Sequence, residues 1–211
     1  MWYVEWNGYN MNVTKTDMWV TPVWEVQTDF DEQFNDELLA EIKIFGDNNK
    51  THGFNFNLWN SNTKRIQELK TYTLKTIKDL TYDYIAPSYT DFEFWHTRGW
   101  LNYTKPGEHM AIHGHGGPKI AMTYYIKAPE NCGDLLLIDP RNGCDWDSGN
   151  DGVNGTKFNR VKAKEGKLAF FPGFVLHMVE TNRSHLPRIS FTSNMGTFDS
   201  GTIEILKNTV L

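Results

Sequence analysis

Two histidines are separated by a single residue in the stretch "EHMAIHGHGGPK". If residues 109 to 115 are extended, alternate side chains share a face, so Ala111, His113 and His115 point the same way. Two imidazoles on one face are suitable ligands for a transition metal, and they are equally compatible with solvated histidines at the end of a strand. A further ligand elsewhere in the chain would favour the metal site.

The third candidate ligand is His177, which follows the apolar stretch "GKLAFFPGFVL" and lies 62 residues after His115. A jelly roll can bring such distant strands side by side at one mouth of a barrel. Three imidazoles can hold a metal ion on one side and leave its other side open. We expect no ligand among the other histidines, although His109 could lie beside the site or at the surface; these are His52, His96, His109 and His185.

Arg188 begins the stretch "RISFTS", and strand alternation would put Arg188, Ser190 and Thr192 on one face. A guanidinium buried without a partner is very costly, so an inward Arg188 would require an anion. Its planar fork fits a carboxylate through two parallel hydrogen bonds, and a serine hydroxyl can add another. Taken alone, Arg188 is also compatible with an exposed strand end or a structural salt bridge.

The elements before residue 91 are one strand and two helices. "MWVTPVWEV" predicts a strand, and Pro22 suggests that it lies at a sheet edge or bulge. Apolar residues at helical spacing predict helices in "DEQFNDELLAEIKIF" and "NSNTKRIQELKTYTLKTIKDL". Asn62 or Thr63 is the expected N-cap of the second helix.

From residue 91 onward the chain changes to short runs rich in aromatic and β-branched residues, separated by turn residues. These runs are "FEFWHTRGWLNYT", "HMAIHGH", "IAMTYYIKA", "DLLLIDP", "RVKAKEGKLAFFPG", "FVLHMVET", "RISFTSNMGTF" and "TIEIL". They predict a mainly β fold, a β-sandwich or jelly roll with the two N-terminal helices packed outside. "PRNGCDWDSGNDGVNGT" reads as a surface loop. We expect one domain over residues 1–211, with a helical part at about 30–82 and a β core at about 91–206.

Composition limits the partners and the location of the protein. A net charge of −5 provides no basic surface for nucleic acid, and no apolar run reaches the roughly 18 to 20 residues of a membrane span. The N-terminal stretch has no signal-peptide pattern, which predicts a cytoplasmic protein. Cys132 and Cys144 form no CxxC motif and are expected to be free thiols. A homodimer is compatible with the sequence.

Together, these motifs resemble the 2-oxoglutarate/Fe(II)-dependent oxygenase superfamily, in particular a bacterial and phage group with an HxH, a distant His and an RxS. The stretches that carry the resemblance are "WLNYTKPGEHMAIHGHGG", "MTYYIKAP", "LLLIDPR", "GKLAFFPGFVLH" and "RISFTSN". The resemblance extends from about residue 19 to 198. It is specific for the fold and the co-substrate, and it does not name the substrate.

The resemblance implies a double-stranded β-helix, the jelly roll of the cupins, with a metal at its open end. By position, His113, His115 and His177 would bind Fe(II). Arg188, assisted by Ser190, would hold the distal carboxylate of 2-oxoglutarate.

The implied reaction couples oxidative decarboxylation of 2-oxoglutarate by O2 to hydroxylation of a substrate. That substrate could be a prolyl or other side chain of a peptide or protein, or a small molecule. Asn102 and either Tyr124 or Tyr125 would contact the co-substrate or line its pocket. Tyr124 shares a strand face with apolar neighbours, so the alternation favours Tyr125 slightly.

His115 departs from the superfamily pattern, because most members have a carboxylate at this position. Three neutral imidazoles would leave Fe(II) with its full charge of +2, which the dianion of 2-oxoglutarate just balances. Alternatively, His115 is not a ligand and a carboxylate such as Asp134 or Glu108 completes the site.

Three other functions compete with this interpretation. A cupin-type dioxygenase or isomerase without 2-oxoglutarate fits "GEHMAIHGH" and "GKLAFFPGFVLH", but "GGPKI" lacks the glutamate that cupins place there, and Arg188 would have no role. A zinc hydrolase-like centre also suits three histidines and an open position. The non-enzymatic alternative is a metal- or sugar-binding β-sandwich, which would not bind 2-oxoglutarate.

Overall fold

The computed structural model describes residues 2–6, 9–13, 20–49, 57–85, 93–141 and 158–209. The strands are β1 (Trp2–Trp6), β2 (Tyr9–Val13), β3 (Trp24–Gln27), β4 (Glu93–Thr104), β5 (Met110–His113), β6 (Ile120–Lys127), β7 (Leu135–Ile138), β8 (Phe158–Val161), β9 (Lys167–Pro172), β10 (His177–Val179) and β11 (Arg188–Phe198). The helices are α1 (Glu32–Asn49), α2 (Lys64–Ile85) and α3 (Ser200–Thr209), with a 3₁₀ turn at Leu58–Asn60. His52, Cys144 and most of the predicted glycine-rich loop lie outside the described residues.

Two antiparallel sheets form the β core. The larger has five strands in the order β3-β9-β6-β11-β4, and the smaller has four in the order β5-β10-β7-β8. Their facing sides share one apolar cluster, to which β6, β7 and β9 contribute Ala121, Leu137 and Phe171. This is the predicted double-stranded β-helix, and β3 lies at a sheet edge as Pro22 suggested. Strands β1 and β2 pair only with each other in the described structure.

Helices α1 and α2 cover the outer side of the five-stranded sheet. The second apolar cluster is built from both helices and from the residues that alternate with the inward-facing ones on β6 and β11. Its members include Leu38 of α1, Leu69 of α2, Tyr124 of β6 and Phe191 of β11. The two helices were therefore predicted correctly, and they support the sheet from behind.

The starts of the helices depend on carboxylates. Asp31 accepts a hydrogen bond from the Phe34 amide, 2.8 Å away, at the start of α1. At the start of α2, the carboxylate of Glu41 on α1 accepts from the amides of Arg65, at 2.9 Å, and Ile66, at 3.2 Å. A negative charge at a helix N-terminus is stabilising. Thr63, one of the two predicted N-caps, directly precedes α2, but its hydroxyl contacts that of Ser61, and a residue of the neighbouring helix binds the first amides.

Residues 202–206 were predicted as a strand and are instead part of helix α3. The carboxylate of Asp199 accepts from the amide of Thr202, at 2.9 Å, and from its hydroxyl, at 2.7 Å. A run of five residues is too short for periodicity to distinguish strand from helix, and the N-cap decides the outcome. The β1–β2 hairpin was not predicted.

His96 is completely enclosed between α2 and the sheet. Its Nε2 lies 2.8 Å from the Thr73 hydroxyl and its Nδ1 lies 2.8 Å from the Ser193 hydroxyl. Its ring stacks on Trp59, with centroids 4.0 Å apart. Burial holds the pKa of His96 well below its usual value of 6.5, and the charge of Lys70 lowers it further.

We expect His96 to make the free energy of unfolding fall as the pH drops below 6.5. Below pH 6.5 His96 is protonated in the unfolded chain but stays neutral in the folded one. This difference lowers the free energy of unfolding by up to about 1.4 kcal/mol per pH unit. Urea unfolding of wild type and His96→Gln between pH 7 and 5 measures the effect. The variant should lose stability less steeply, and equal slopes would contradict the expectation.

Candidate metal centre

His113 and His177 are direct partners across neighbouring strands. Strand β10 pairs antiparallel with β5, and the register places His177 opposite His113. Side chains of cross-strand partners project from the same face of a sheet. Their ring centroids are 4.2 Å apart. Residues that are remote in sequence therefore meet through a single strand pairing.

His115 lies beyond the end of β5, in a turn that contains three glycines. Its backbone amide donates to the Gly173 carbonyl, 3.1 Å away, and the Gly173 amide donates to the Lys119 carbonyl, also at 3.1 Å. These bonds fasten the turn to the neighbouring β9–β10 connection. The Nε2 atoms of His115 and His177 are 3.3 Å apart. One ring nitrogen from each of the three histidines lies within 4.8 Å of the others.

The remaining ring nitrogens point away from this common point, towards hydrogen-bond acceptors. His113 Nδ1 lies 2.9 Å from the Ala111 carbonyl, and His177 Nδ1 lies 2.9 Å from the Val175 carbonyl. A carbonyl can only accept, so both rings carry their proton on Nδ1 and a lone pair on Nε2. This is the usual arrangement of histidines that bind metals. Two nitrogens at adjacent corners around a first-row metal are about 3 Å apart, as His115 and His177 are.

Asn194 on β11 holds the third ring. His115 Nδ1 donates to Asn194 Oδ1 at 2.6 Å, and Trp100 stacks against the same imidazole with centroids 5.8 Å apart. Asn194 was not among the site residues predicted from the sequence. Strand alternation could have found it, because Asn194 continues the face of Arg188, Ser190 and Thr192.

Burial keeps two of the candidate ligands, His115 and His177, uncharged. Loss of solvent lowers the pKa of His177 to about 4 and lowers that of His115 as well. The neighbouring imidazoles add to the effect, because a second positive charge would be repelled. At neutral pH both rings therefore offer a free lone pair.

Replacing Asn194 with alanine is expected to weaken Fe(II) binding by roughly 10- to 100-fold, because the ring of His115 loses the acceptor that orients it. Asn194→Asp keeps an acceptor and should retain most of the affinity. Competition with a chromophoric chelator measures the affinity, and urea unfolding of the metal-free variants serves as the control for folding. Equal metal affinity in wild type and Asn194→Ala would exclude this role.

A cavity of about 270 Å³ lies between the two sheets, beneath His113 and His177. Arg188 is in its wall and only 2% exposed. One guanidinium nitrogen is 3.3 Å from the Gly133 carbonyl, and the Nε has no hydrogen-bond partner. Within the described part of the chain, no carboxylate forms an ion pair with it; Asp134 pairs with Arg160 instead. Arg188 is therefore a buried cation that no carboxylate of the described residues neutralises.

The other predicted pocket residues divide between the two faces of the larger sheet. Ser190, Tyr125 and Asn102 line the cavity with Arg188. Asn102 donates to the Thr192 hydroxyl at 2.7 Å and accepts from the Trp100 indole at 3.1 Å.

Tyr124 does not reach the cavity, and its prediction as a pocket residue is corrected. Its hydroxyl points to the opposite side of the sheet and donates to Asn35 of α1 at 2.6 Å. The reason is the strand alternation that separates Tyr124 from Tyr125.

Neither of the alternative carboxylates lies in the histidine cluster, which contains only the three histidines among the residues that the structure describes. Asp134 accepts from the Ala163 amide at 2.8 Å as well as from Arg160. Glu108 is exposed and accepts from the Lys105 amide at 2.8 Å. His109 and His185 are also exposed.

Comparison with known proteins agrees with this geometry. A family model described as "Putative 2OG-Fe(II) oxygenase" matches residues 98–194, a range that contains the three histidines, Arg188 and Asn194. Residues 98–194, a little less than half of the chain, are therefore similar to the 2-oxoglutarate/Fe(II)-dependent oxygenases. No curated protein matches its sequence.

Solved structures of oxygenases share the fold of the chain. A non-haem alpha-ketoglutarate-dependent carbocyclase, SnoK from nogalamycin biosynthesis, superposes with a TM-score of 0.59 at 10% identity, covering 83% of this chain and 80% of that one. A Pseudomonas putida prolyl-4-hydroxylase has a TM-score of 0.53 at 14% identity, with coverage of 82% and 86%. The viral collagen prolyl hydroxylase of Paramecium Bursaria Chlorella virus-1, in its 2OG complex, gives 0.53 at 15%, with 82% and 94%. At these identities the likeness shows the double-stranded β-helix alone.

The family match and the histidine cluster together support a 2-oxoglutarate-dependent oxygenase, with Fe(II) as its cofactor and 2-oxoglutarate as its co-substrate. The three histidines, with lone pairs directed at one point, fit a bound metal. No described helix has the length and apolar character needed to cross a membrane.

Proposed function

We propose that the protein hydroxylates a substrate at the expense of 2-oxoglutarate and O2, with His113, His115 and His177 binding Fe(II). One oxygen atom of O2 enters the succinate formed from 2-oxoglutarate, with release of CO2, and the other enters the substrate as a hydroxyl group. The metal supplies the redox chemistry, and the chain supplies ligation, orientation and exclusion of water.

The observation that carries the proposal is the guanidinium of Arg188 in a cavity beneath the histidines, where no carboxylate of the described residues pairs with it. A buried arginine without an acid is costly, and a carboxylate that accepts two parallel hydrogen bonds compensates that cost. The distal carboxylate of 2-oxoglutarate is such an anion, and Ser190 offers a further hydroxyl beside it. The cavity of about 270 Å³ suits a small ligand.

Tyr125 and Asn102, in the wall of the same cavity, orient the co-substrate and exclude water from it. Tyr125 is 1% exposed, and its ring lies 5.8 Å from the guanidinium carbon of Arg188. Burial raises the pKa of the Tyr125 phenol, so its hydroxyl stays protonated and can donate a hydrogen bond. Asn102 is held by Thr192 and Trp100, which gives the cavity a preorganised polar group.

Arg188 also separates this proposal from the competing functions. A cupin-type enzyme, a zinc hydrolase or a non-catalytic sandwich can use the three histidines, but none of them needs a buried cation beside the metal. Proline hydroxylation, the activity named for two of the structural neighbours, is one candidate for the substrate chemistry. Another side chain or a small molecule is equally compatible with the geometry.

Turnover of 2-oxoglutarate tests the proposal. Protein loaded with Fe(II) and incubated with O2 should release succinate and CO2 in equal amounts, slowly without substrate and faster once a substrate is found. Protein reconstituted with Zn(II) provides the control, because zinc has no redox chemistry. Iron-loaded protein that neither binds nor consumes 2-oxoglutarate would contradict the proposal.

A further inference from the structure

The three histidines separate two cavities. The inner one contains Arg188 and is lined by His113 and His177, whereas His115 lines an outer cleft of about 680 Å³. The outer cleft is also formed by Pro118, Lys119, Pro172 and Phe174, together with two glycines. If 2-oxoglutarate occupies the inner cavity, the outer cleft is a second space next to the metal ligands in the described part of the structure.

The rim of the outer cleft is held firmly. Two backbone hydrogen bonds, from His115 to Gly173 and from Gly173 to Lys119, join the turns on either side. Gly173 packs so closely on the carbonyl of Pro118 that a Cβ there would lie only 2.4 Å from that oxygen. The side chains of Lys119 and Phe174 are nevertheless exposed, with 61% of Phe174 accessible. The hydrogen-bonded backbone therefore fixes the positions from which the Lys119 cation and the Phe174 ring extend into the cleft.

Charge distinguishes this region from the rest of the molecule. The chain carries a net charge of −5, yet the only charged groups among the described lining residues of the two cavities are Arg188 and Lys119, apart from the histidines. The candidate ligands are three imidazoles, so they add no negative charge to offset the metal. The dianion of 2-oxoglutarate offsets two of the three positive charges of Fe(II) and Arg188, so the site stays positive and Lys119 adds a further positive charge in the outer cleft. A cleft lined by one sign of charge attracts ligands of the opposite sign.

We propose that the substrate bears a carboxylate, which pairs with Lys119 while its apolar part packs on Phe174 in the outer cleft. This inference rests on the proposed function, because it assigns the inner cavity to 2-oxoglutarate. The carboxylate belongs either to a small molecule or to an acidic side chain of a peptide.

Binding of matched probes tests the proposal. Fe(II)-loaded protein is saturated with 2-oxoglutarate under anaerobic conditions, which fills the inner cavity, and is then titrated calorimetrically with phenylacetate or phenylacetamide. These probes have nearly the same shape and differ in charge. We expect phenylacetate to bind about fivefold more tightly at low salt, in line with an exposed ion pair. Lys119→Met should remove the difference, and so should high salt.

Lys162→Met is the matched control, because Lys162 is exposed and follows β8, at the sheet edge opposite β5. It should leave the preference unchanged. A second pair of probes, the blocked peptide Ala-Ala-Glu-Ala-Ala and its glutamine counterpart, distinguishes the two sources of the carboxylate. A preference within the peptide pair that needs Lys119 indicates an acidic peptide, and a preference confined to phenylacetate indicates a small molecule.

Equal binding of charged and neutral probes, a preference that survives in Lys119→Met, or no binding of any probe overturns the proposal. The weak visible charge-transfer band of the 2-oxoglutarate chelate is recorded in the same samples. Absence of that band is a failure of the proposed function, whereas an intact band without carboxylate preference is a failure of this inference alone.

Discussion

Arg188→Ala is expected to raise the Kd for 2-oxoglutarate by roughly 100-fold, the effect of removing one partner of a buried charge pair. Arg188 is 2% exposed, its Nε has no hydrogen-bond partner, and no carboxylate of the described residues forms an ion pair with it. Its loss removes the partner of the distal carboxylate and leaves the metal-chelating end untouched. Anaerobic titration of the Fe(II)-loaded protein with 2-oxoglutarate, followed by the visible charge-transfer band, measures the change.

Arg183→Ala is the matched control, because Arg183 is exposed and lies just before β11. It should titrate like wild type. Without 2-oxoglutarate, Arg188→Ala should be at least as stable as wild type, because it removes an uncompensated buried charge. Added 2-oxoglutarate should then raise the melting temperature of wild type and hardly change that of the variant. An Arg188→Ala protein that binds 2-oxoglutarate as tightly as wild type would falsify the assignment of the inner cavity.

His177→Ala is expected to abolish turnover and to weaken Fe(II) binding by at least about 100-fold, because losing a ligand costs more than the 10- to 100-fold typical of an outer-shell partner. His177 lies opposite His113 in the β5–β10 pairing, with its Nε2 3.3 Å from Nε2 of His115 and its Nδ1 donating to the Val175 carbonyl. The iron content after gel filtration and competition with a chelator measure the loss. His109→Ala, an exposed histidine just before β5, is the control and should retain its iron.

His115 allows a finer comparison. His115→Asp would introduce the carboxylate that most of the superfamily has at this position, and it should still bind Fe(II). His115→Ala should not bind it tightly. If His115→Ala holds iron as firmly as wild type, His115 is not a ligand and the site is completed by another group.

The local part of this site could be predicted because strand alternation is a property of consecutive residues. A period of two places Arg188 and Ser190 on one face and separates Tyr125 from Tyr124, whatever the rest of the chain does. The structure has both features. The helical stripes of α1 and α2 were predictable for the same reason, since burial of one helix face repeats every three to four residues. The strand predicted at residues 202–206 was wrong because the run was too short to show any period.

The order of the residues is enough to identify which side chains are available and which of them share a strand face: the HxH pair, a distant histidine, and an arginine followed at the second position by a serine. That these groups meet is a result of long-range strand pairing. The β5–β10 register sets His177 opposite His113, and a hydrogen bond from His115 to Asn194 orients the third ring. In the same way, Glu41 of α1 binds the first amides of α2. Such contacts depend on the pairing of strands and helices that are remote in sequence, and no local period encodes that pairing.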